Sequence, residues 1–269
     1  MSSNSDCLVM GTAFKLQVPQ VRLFVESLRK HYDGPVMLLV TSLDSRDLVV
    51  YLCSRGVTPV FFDCPYWMLT HIQVARYIRY GEILRGSERA YDRILLSDVS
   101  DILFQAHPFA GAPPGELLCF LEHADRRIGK CQANSLWMEQ IYGPEVLARL
   151  KDCMISCSGT TIGSHAAILR YIDLLLSYAD PKILAALKGF RGHDQAIHNF
   201  LLHTGALPQA QLVPNGQHVL TLGGAPDSEV ILGPNGTLLS PDGRLCPIVH
   251  HYEARGQSHI AAAFPMDAR

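Results

Sequence analysis

Along the first hundred residues, short apolar runs alternate with segments whose apolar residues recur at helical spacing. Cys7 to Ala13 reads as a strand, and so do Val36 to Val40, Val57 to Phe62 and Ile94 to Leu96. Each run has the length of a buried strand and is bounded by turn formers. Between them, Pro19 to Tyr32 reads as a helix with Pro19 in its first turn and Val21, Phe24, Val25 and Leu28 on one face. Asp44 is the expected N-cap of a second helix that closes at Gly56, and Met68 to Leu84 reads as a third. Strands alternating with helices predict parallel strands joined by crossover helices, so residues 1–105 read as a Rossmann-like nucleotide-binding half.

The pattern then loosens. Glu116 to Leu121 and Ile155 to Ile162 read as strands, and Asn134 to Leu150 as one or two helices broken near Gly143-Pro144. Ser164 to Tyr178 and Gly192 to His203 read as further helices. From Leu212 the turns Pro214-Asn215-Gly216, Gly223-Gly224, Pro234-Asn235-Gly236 and Pro241-Asp242-Gly243 punctuate short apolar stretches, which predicts an antiparallel meander. Its last strand, Cys246 to Val249, leads into His250 and His251. The tail after Gly256 reads as a loose terminus.

Composition narrows the classes. The chain has 269 residues, 48% of them hydrophobic and 18% charged, as expected of a globular α/β protein. A formal net charge of −2 gives no global attraction to nucleic acid or anionic lipid. No run approaches the roughly 20 apolar residues of a membrane span, and polar Met1 to Asp6 lead into Cys7 to Met10, too short for a signal core, so no secretory signal is expected. The eight cysteines include no CxxC pair, so free thiols in a reducing cytoplasm are expected rather than a disulfide framework or structural zinc.

The candidate chemistry centres on Asp98 and Asp101, which follow the strand Ile94 to Leu96. In open α/β sheets ligands bind outside the carboxyl ends of the strands. Two carboxylates held there repel unless a divalent cation with oxygen ligands relieves them, and such a cation can bridge to a phosphate. The plainer reading is one turn-capping aspartate and one solvated one. Arg76, Arg79 and Tyr80 fall on one face of the third helix, where two guanidiniums could hold a diphosphate or simply be solvated. Asp194 and Gln195 open a helix, so Asp194 either complements the helix dipole or faces a ligand. His193, His198 and His203 are spaced by five and share no narrow face, which excludes a helical zinc motif and leaves the last two as packing or surface residues. Strand alternation lets only one of His250 and His251 point into a site, and an imidazole beside two carboxylates suits Mn²⁺. There is no GxGxxG after the first strand, no P-loop and no GxSxG elbow.

In this order the landmarks resemble the GT-A fold nucleotide-sugar glycosyltransferases, nearest the retaining family 8-like group that includes glycogenin. Val74 to Glu82 looks like the donor-binding Ala-Arg helix, and Leu95 to Phe104 like the strand with its DxD element. Cys157-Ser158-Gly159 stands where the family has Asn-Ala-Gly, Asp194-Gln195 matches its Asp-Gln pair, and Pro247 to His250 its closing metal-binding histidine. The pattern here is DxxD, the asparagine is Cys157, and no Lys-Pro-Trp follows His250; Arg255 is the candidate replacement for that lysine.

The resemblance implies one GT-A domain over residues 1–269, with residues 106–269 forming the acceptor and metal-completing half. It implies a hexosyltransferase moving a sugar from a nucleoside-diphosphate sugar, a UDP-sugar, to a glycan, lipid-linked or protein hydroxyl, with retention. Asp98, Asp101 and His250 would hold Mn²⁺ or Mg²⁺. Gly11, Thr12, Arg76, Asp98, Ser158 and Gly159 would bind the donor, and Asp194 and Gln195 would be catalytic. No nucleic-acid partner and no transmembrane segment are expected, and the location is cytoplasmic, with room for peripheral contact at a membrane. The competing readings are a non-catalytic sugar- or nucleotide-binding module on the same fold, and a metal phosphohydrolase using the same carboxylates.

Overall fold

The structure is a computed structural model and describes residues 6–63, 71–186, 192–226 and 229–252. The expected start of the third helix at 68–70, Arg255 and the tail beyond it lie outside the described residues.

Seven strands form one mixed sheet. The first four are β1 (Cys7–Thr12), β2 (Val36–Val40), β3 (Thr58–Phe61) and β4 (Arg93–Ser97). After the short β5 (Ile102–Phe104) come β6 (Leu117–Leu121), β7 (Ser156–Gly163) and β8 (Ala210–Val213). The order across the sheet is β3-β2-β1-β4-β7-β6-β8, with β5 outside it. Only β7 runs against the others: β1 pairs parallel with β2 and β4, while β7 pairs antiparallel with β4 and β6. The carboxyl ends of β1, β4 and β6 therefore share an edge with the start of β7.

Alternation along the strands divides the core into two layers. Val9, Leu38, Leu95, Phe120 and Ile162 face α1 (Val18–His31) and α2 (Arg46–Ser54), packing on Phe24, Leu28, Leu48 and Leu52. Leu8, Met10, Leu39, Ile94 and Leu96 face the opposite layer. There they meet Tyr77 and Tyr80 of α3 (Ile72–Arg85), Tyr171 and Ile172 of α6 (His165–Ser177), and Ile197 and Leu201 of α8 (His193–His203). Between β6 and β7 the chain forms α4 (Gln132–Tyr142) and α5 (Pro144–Leu150), separated at Gly143, where φ is +83°. A short α7 (Pro181–Ala186) follows α6.

The second helix is capped by Ser45, whose Oγ accepts from the Leu48 amide at 3.2 Å, and not by Asp44. Asp44 instead accepts from the Thr41 amide at 2.7 Å and the Lys15 amide at 2.8 Å, tying the loop after β1 to the loop after β2.

The C-terminal part departs from the expected meander. β8 joins the main sheet parallel to β6, and β9 (Val219–Thr221) pairs parallel with β12 (Ile248–His250). β12 pairs antiparallel with β5, and in the described residues after β8 the antiparallel pairing of consecutive strands is that of β10 (Ile231–Leu232) with β11 (Leu238–Leu239). The turn residues mark where the chain reverses, but partner choice is set by burial: β5, β9 and β12 are buried throughout, as one three-stranded sheet. This small sheet ties the chain just after Asp101 to the chain just before His251.

No helix among the described residues is long and apolar enough to cross a membrane. Seven of the eight cysteines are described, and all seven are free thiols.

Candidate functional site

Asp98 is the first residue beyond β4, and its amide donates to the Gly159 carbonyl at 2.8 Å. Asp101 lies three residues on, immediately before β5. Because β12 pairs with β5 in the register His250↔Ile102, the imidazole of His250 arrives beside both carboxylates. His250 Nε2 is 3.6 Å from Asp101 Oδ1 and 3.9 Å from Asp98 Oδ2. These separations exceed hydrogen-bond length. Tyr252 closes the arrangement by donating its hydroxyl to the Ser100 carbonyl at 2.9 Å.

His250 is fully buried, and among the described residues neither ring nitrogen has a hydrogen-bond partner. Burial pushes its pKa down to about 4, with Asp98 pulling the other way, so the ring is neutral at pH 7 and has a lone pair to give. An octahedral cation with bonds of about 2.1–2.4 Å would set neighbouring ligand atoms about 3–3.4 Å apart and opposite ones about 4.2–4.8 Å apart. The observed separations of 3.6 and 3.9 Å fall between those two values, so the side chains would adjust slightly around an ion, and ligand atoms of Asp98, Asp101 and His250 all fall within 4.8 Å of one another. The donor set fits a divalent cation.

Gly159 makes this approach possible. A Cβ there would stand 2.5 Å from Asp98 Oδ2 and 2.6 Å from His250 Cε1. Gly159 thus serves the carboxylate–imidazole packing directly.

Arg76 is buried on α3 and forks between two carboxylates. Its Nη1 donates to Asp98 Oδ1 at 2.6 Å and its Nη2 to Asp194 Oδ2 at 2.9 Å. Burial works against the guanidinium charge, but Tyr77, Asp98 and Asp194 hold its pKa above the ordinary arginine value. Burial likewise opposes the charge on Asp98, yet Arg76 and His250 keep its carboxyl below the usual range. At Asp194 burial prevails over Arg76, and the pKa is raised. Arg79 does not share the fork: it pairs at the surface with Glu82 at 2.8 Å. A helical face spans enough arc for one arginine to be buried and its neighbour a turn away to be solvated.

Gly192 starts α8 with φ +96° and leaves no space for a Cβ beneath the Trp137 ring. Besides Arg76, the Asp194 carboxylate accepts from Ser158 Oγ at 3.1 Å and from the Gln195 amide in the first turn of the helix, so it serves both the helix start and the site. Gln195 Oε1 accepts from the Ser158 amide at 3.0 Å, and its Nε2 donates to Glu122 Oε1 at 3.1 Å. The structure therefore brings Arg76, Asp98, Ser158, Asp194 and Gln195 to one cavity of about 420 Å³, walled further by Trp137 and His251. Gly11 and Thr12 are not on that wall. Gly11 is packed beneath Val99 and Leu38, where a Cβ would come within 2.6 and 2.9 Å, and Thr12 Oγ1 lies 2.7 Å from the Tyr80 hydroxyl. His198 and His203 are packing residues, bonded to Tyr171 and Ser156 and to the Met154 carbonyl.

The expectation that only one of the paired histidines faces the site fails. The strand ends at His250, and His251 adopts φ +56°, which turns its ring back to the same side. The two imidazole centroids are 3.9 Å apart, and His251 Nε2 is 3.7 Å from Asp101 Oδ2. Glu122 was missed as well. It is buried, follows β6 directly, and anchors Gln195 and Arg126. The signal was present, since an acid closing an apolar run is the same pattern that singled out Asp98.

No family model matches this chain, and no curated protein matches it either.

Proposed function

We propose that the chain is a GT-A-type glycosyltransferase that moves a sugar from a nucleoside-diphosphate sugar to a hydroxyl acceptor, with a divalent cation held by Asp98, Asp101 and His250. The observation that carries this reading is the meeting of two carboxylates with a buried imidazole whose nitrogens have no hydrogen-bond partner among the described residues. Structure leaves buried polar atoms unsatisfied at real cost, so such a group points to a ligand. The strand order, with a single antiparallel strand inside an otherwise parallel sheet, supports the same reading by placing β4, β6 and the start of β7 at one edge.

The cation, Mn²⁺ or Mg²⁺ on this reading, would supply Lewis-acid neutralisation of the departing nucleoside diphosphate. The residues of the chain do the remainder. Arg76, fixed by two carboxylates, places a guanidinium at the cavity wall without conformational freedom to lose. Ser158 and Glu122 hold the Gln195 amide, so its orientation toward a sugar is preset. Asp194, next to Arg76, faces the space where donor sugar and acceptor hydroxyl would meet. Retention of configuration, a UDP-sugar donor and a glycan, lipid-linked or protein acceptor belong to this proposal as expectations of the resemblance.

The test is donor turnover with a panel of nucleoside-diphosphate sugars and Mn²⁺, with and without chelator. Slow donor hydrolysis that EDTA abolishes and Asp101→Asn removes is the expected result. Inertness toward every donor would favour a binding module, and phosphate release from simple esters without nucleotide dependence would favour a phosphohydrolase.

A further inference from the structure

Two further candidate ligands, Cys157 and His251, form a second group around His250, beside the proposed cation site. Cys157, His250 and His251 present atoms within 4.8 Å of one another, and they share His250 with the Asp98–Asp101–His250 group. His251 also approaches Asp101 from the other side, at 3.7 Å. Its inward turn has a steric allowance: a Cβ at Gly223 would collide with His251 Nδ1, so the glycine makes room for the ring. Cys157 lines the same cavity from β7, two residues before Gly159.

Two carboxylates and one imidazole form a hard-to-borderline set suited to Mg²⁺ or Mn²⁺. Adding a second imidazole and a thiolate shifts preference toward Zn²⁺ and Co²⁺. We propose that His251 and Cys157 are additional ligands of this site, and that they give it selectivity for a borderline transition ion over Mg²⁺ and Mn²⁺. The inference rests on the cation site described above but concerns which ion it holds. The Cys157 thiol binds as thiolate, so each ion taken up releases the thiol proton to solvent while sulfur gives an electron pair to the metal. The neutral His250 supplies its lone pair without losing a proton.

The test is Co²⁺ titration of the full chain, followed by absorbance, with calorimetric titration of Zn²⁺ and Mn²⁺. The unmutated protein should show a thiolate-to-cobalt charge-transfer band in the near ultraviolet and release a proton per ion. Cys157→Ser should remove the band. His251→Gln should alter the visible ligand-field bands. Each should lower Zn²⁺ affinity by at least the roughly 10–100-fold typical of losing even an outer partner, with a much smaller loss for Mn²⁺. The cobalt spectrum of the unmutated protein needs no variant to fold. Tight Mn²⁺ binding without a charge-transfer band, and a Zn²⁺ to Mn²⁺ ratio unmoved by both variants, would overturn the inference and leave the cation site standing. Failure of every divalent ion to bind would remove the site itself.

Discussion

Arg76 and Asp194 stand 118 positions apart in sequence and meet at 2.9 Å, both nearly inaccessible to solvent. The same guanidinium reaches Asp98 with its other nitrogen, at 2.6 Å. One side chain thus joins α3, the end of β4 and the start of α8, and sets the spacing of the cavity wall.

Removing Arg76 leaves the buried Asp194 without its countercharge, beside the partly exposed Asp98. Breaking a buried pair by deleting one partner typically costs about 3–5 kcal/mol. Arg76→Met should therefore lower the urea midpoint strongly. Arg76→Lys should recover only part of that loss, because an ammonium cannot fork to two carboxylates as a planar guanidinium does. Equal stability of all three proteins would contradict this role.

Gly159→Ala tests the packing of the proposed ligands. A Cβ placed 2.5 Å from Asp98 Oδ2 and 2.6 Å from His250 Cε1 forces one or both aside. Overpacking of this kind costs about 1–3 kcal/mol. The sharper readout is calorimetry of Mn²⁺ binding, where affinity should fall by on the order of 10–100-fold while far-ultraviolet circular dichroism stays unchanged.

Much of this arrangement was readable in the residue pattern. The apolar runs at Val36 to Val40 and Ile94 to Leu96 became β2 and the middle of β4, and the helix break at Gly143-Pro144 fell where expected. Asp98, Asp101 and His250 were singled out and lie together. What escaped the sequence is non-local or conformational. The pairing of β12 with β5 joins residues nearly 150 positions apart, and three-residue strands carry too little periodicity to announce a partner. The turn of His251 depends on a positive φ that histidine seldom adopts. Arg76 and Arg79 look alike on a helical wheel, and only the position of Asp194 tells them apart.

Acid should unfold the protein partly through its buried histidines. His198 hydrogen-bonds with the Tyr171 hydroxyl through Nδ1 and with Ser156 Oγ through Nε2, and burial followed by the nearby His203 lowers its pKa to about 3. His193, buried beside His71, is lowered to about 4. The unfolded chain takes up these protons near pH 6.5, the folded chain only near 3 to 4. Stability contributed by the neutral rings is therefore complete above pH 6.5 and declines as pH falls from there toward 3. Asp194, raised by burial, acts in the opposite sense above pH 3.8 and softens the slope without removing it. Urea midpoints measured from pH 8 to pH 4 should be level at first and then fall. His198→Gln should flatten that fall, and an unchanged slope would assign acid sensitivity elsewhere.

Gly192→Ala should disturb the cavity from the other side. The residue has φ +96°, and its added methyl would run into the Trp137 ring. A residue other than glycine in such a conformation costs on the order of 1–3 kcal/mol. Since Asp194 and Gln195 follow directly, donor turnover should fall further than stability does, which a comparison of kcat/KM with the thermal midpoint would read.

The proposed cation is shared by side chains from the segment between β4 and β5 and from the end of β12. A crystal soaked with Mn²⁺ and a nucleoside diphosphate, measured for anomalous scattering, tests it most directly. One strong peak is expected about 2.0–2.4 Å from carboxylate oxygens of Asp98 and Asp101 and a ring nitrogen of His250. A peak bound by other residues, or none at that position with those three side chains unchanged, would contradict it.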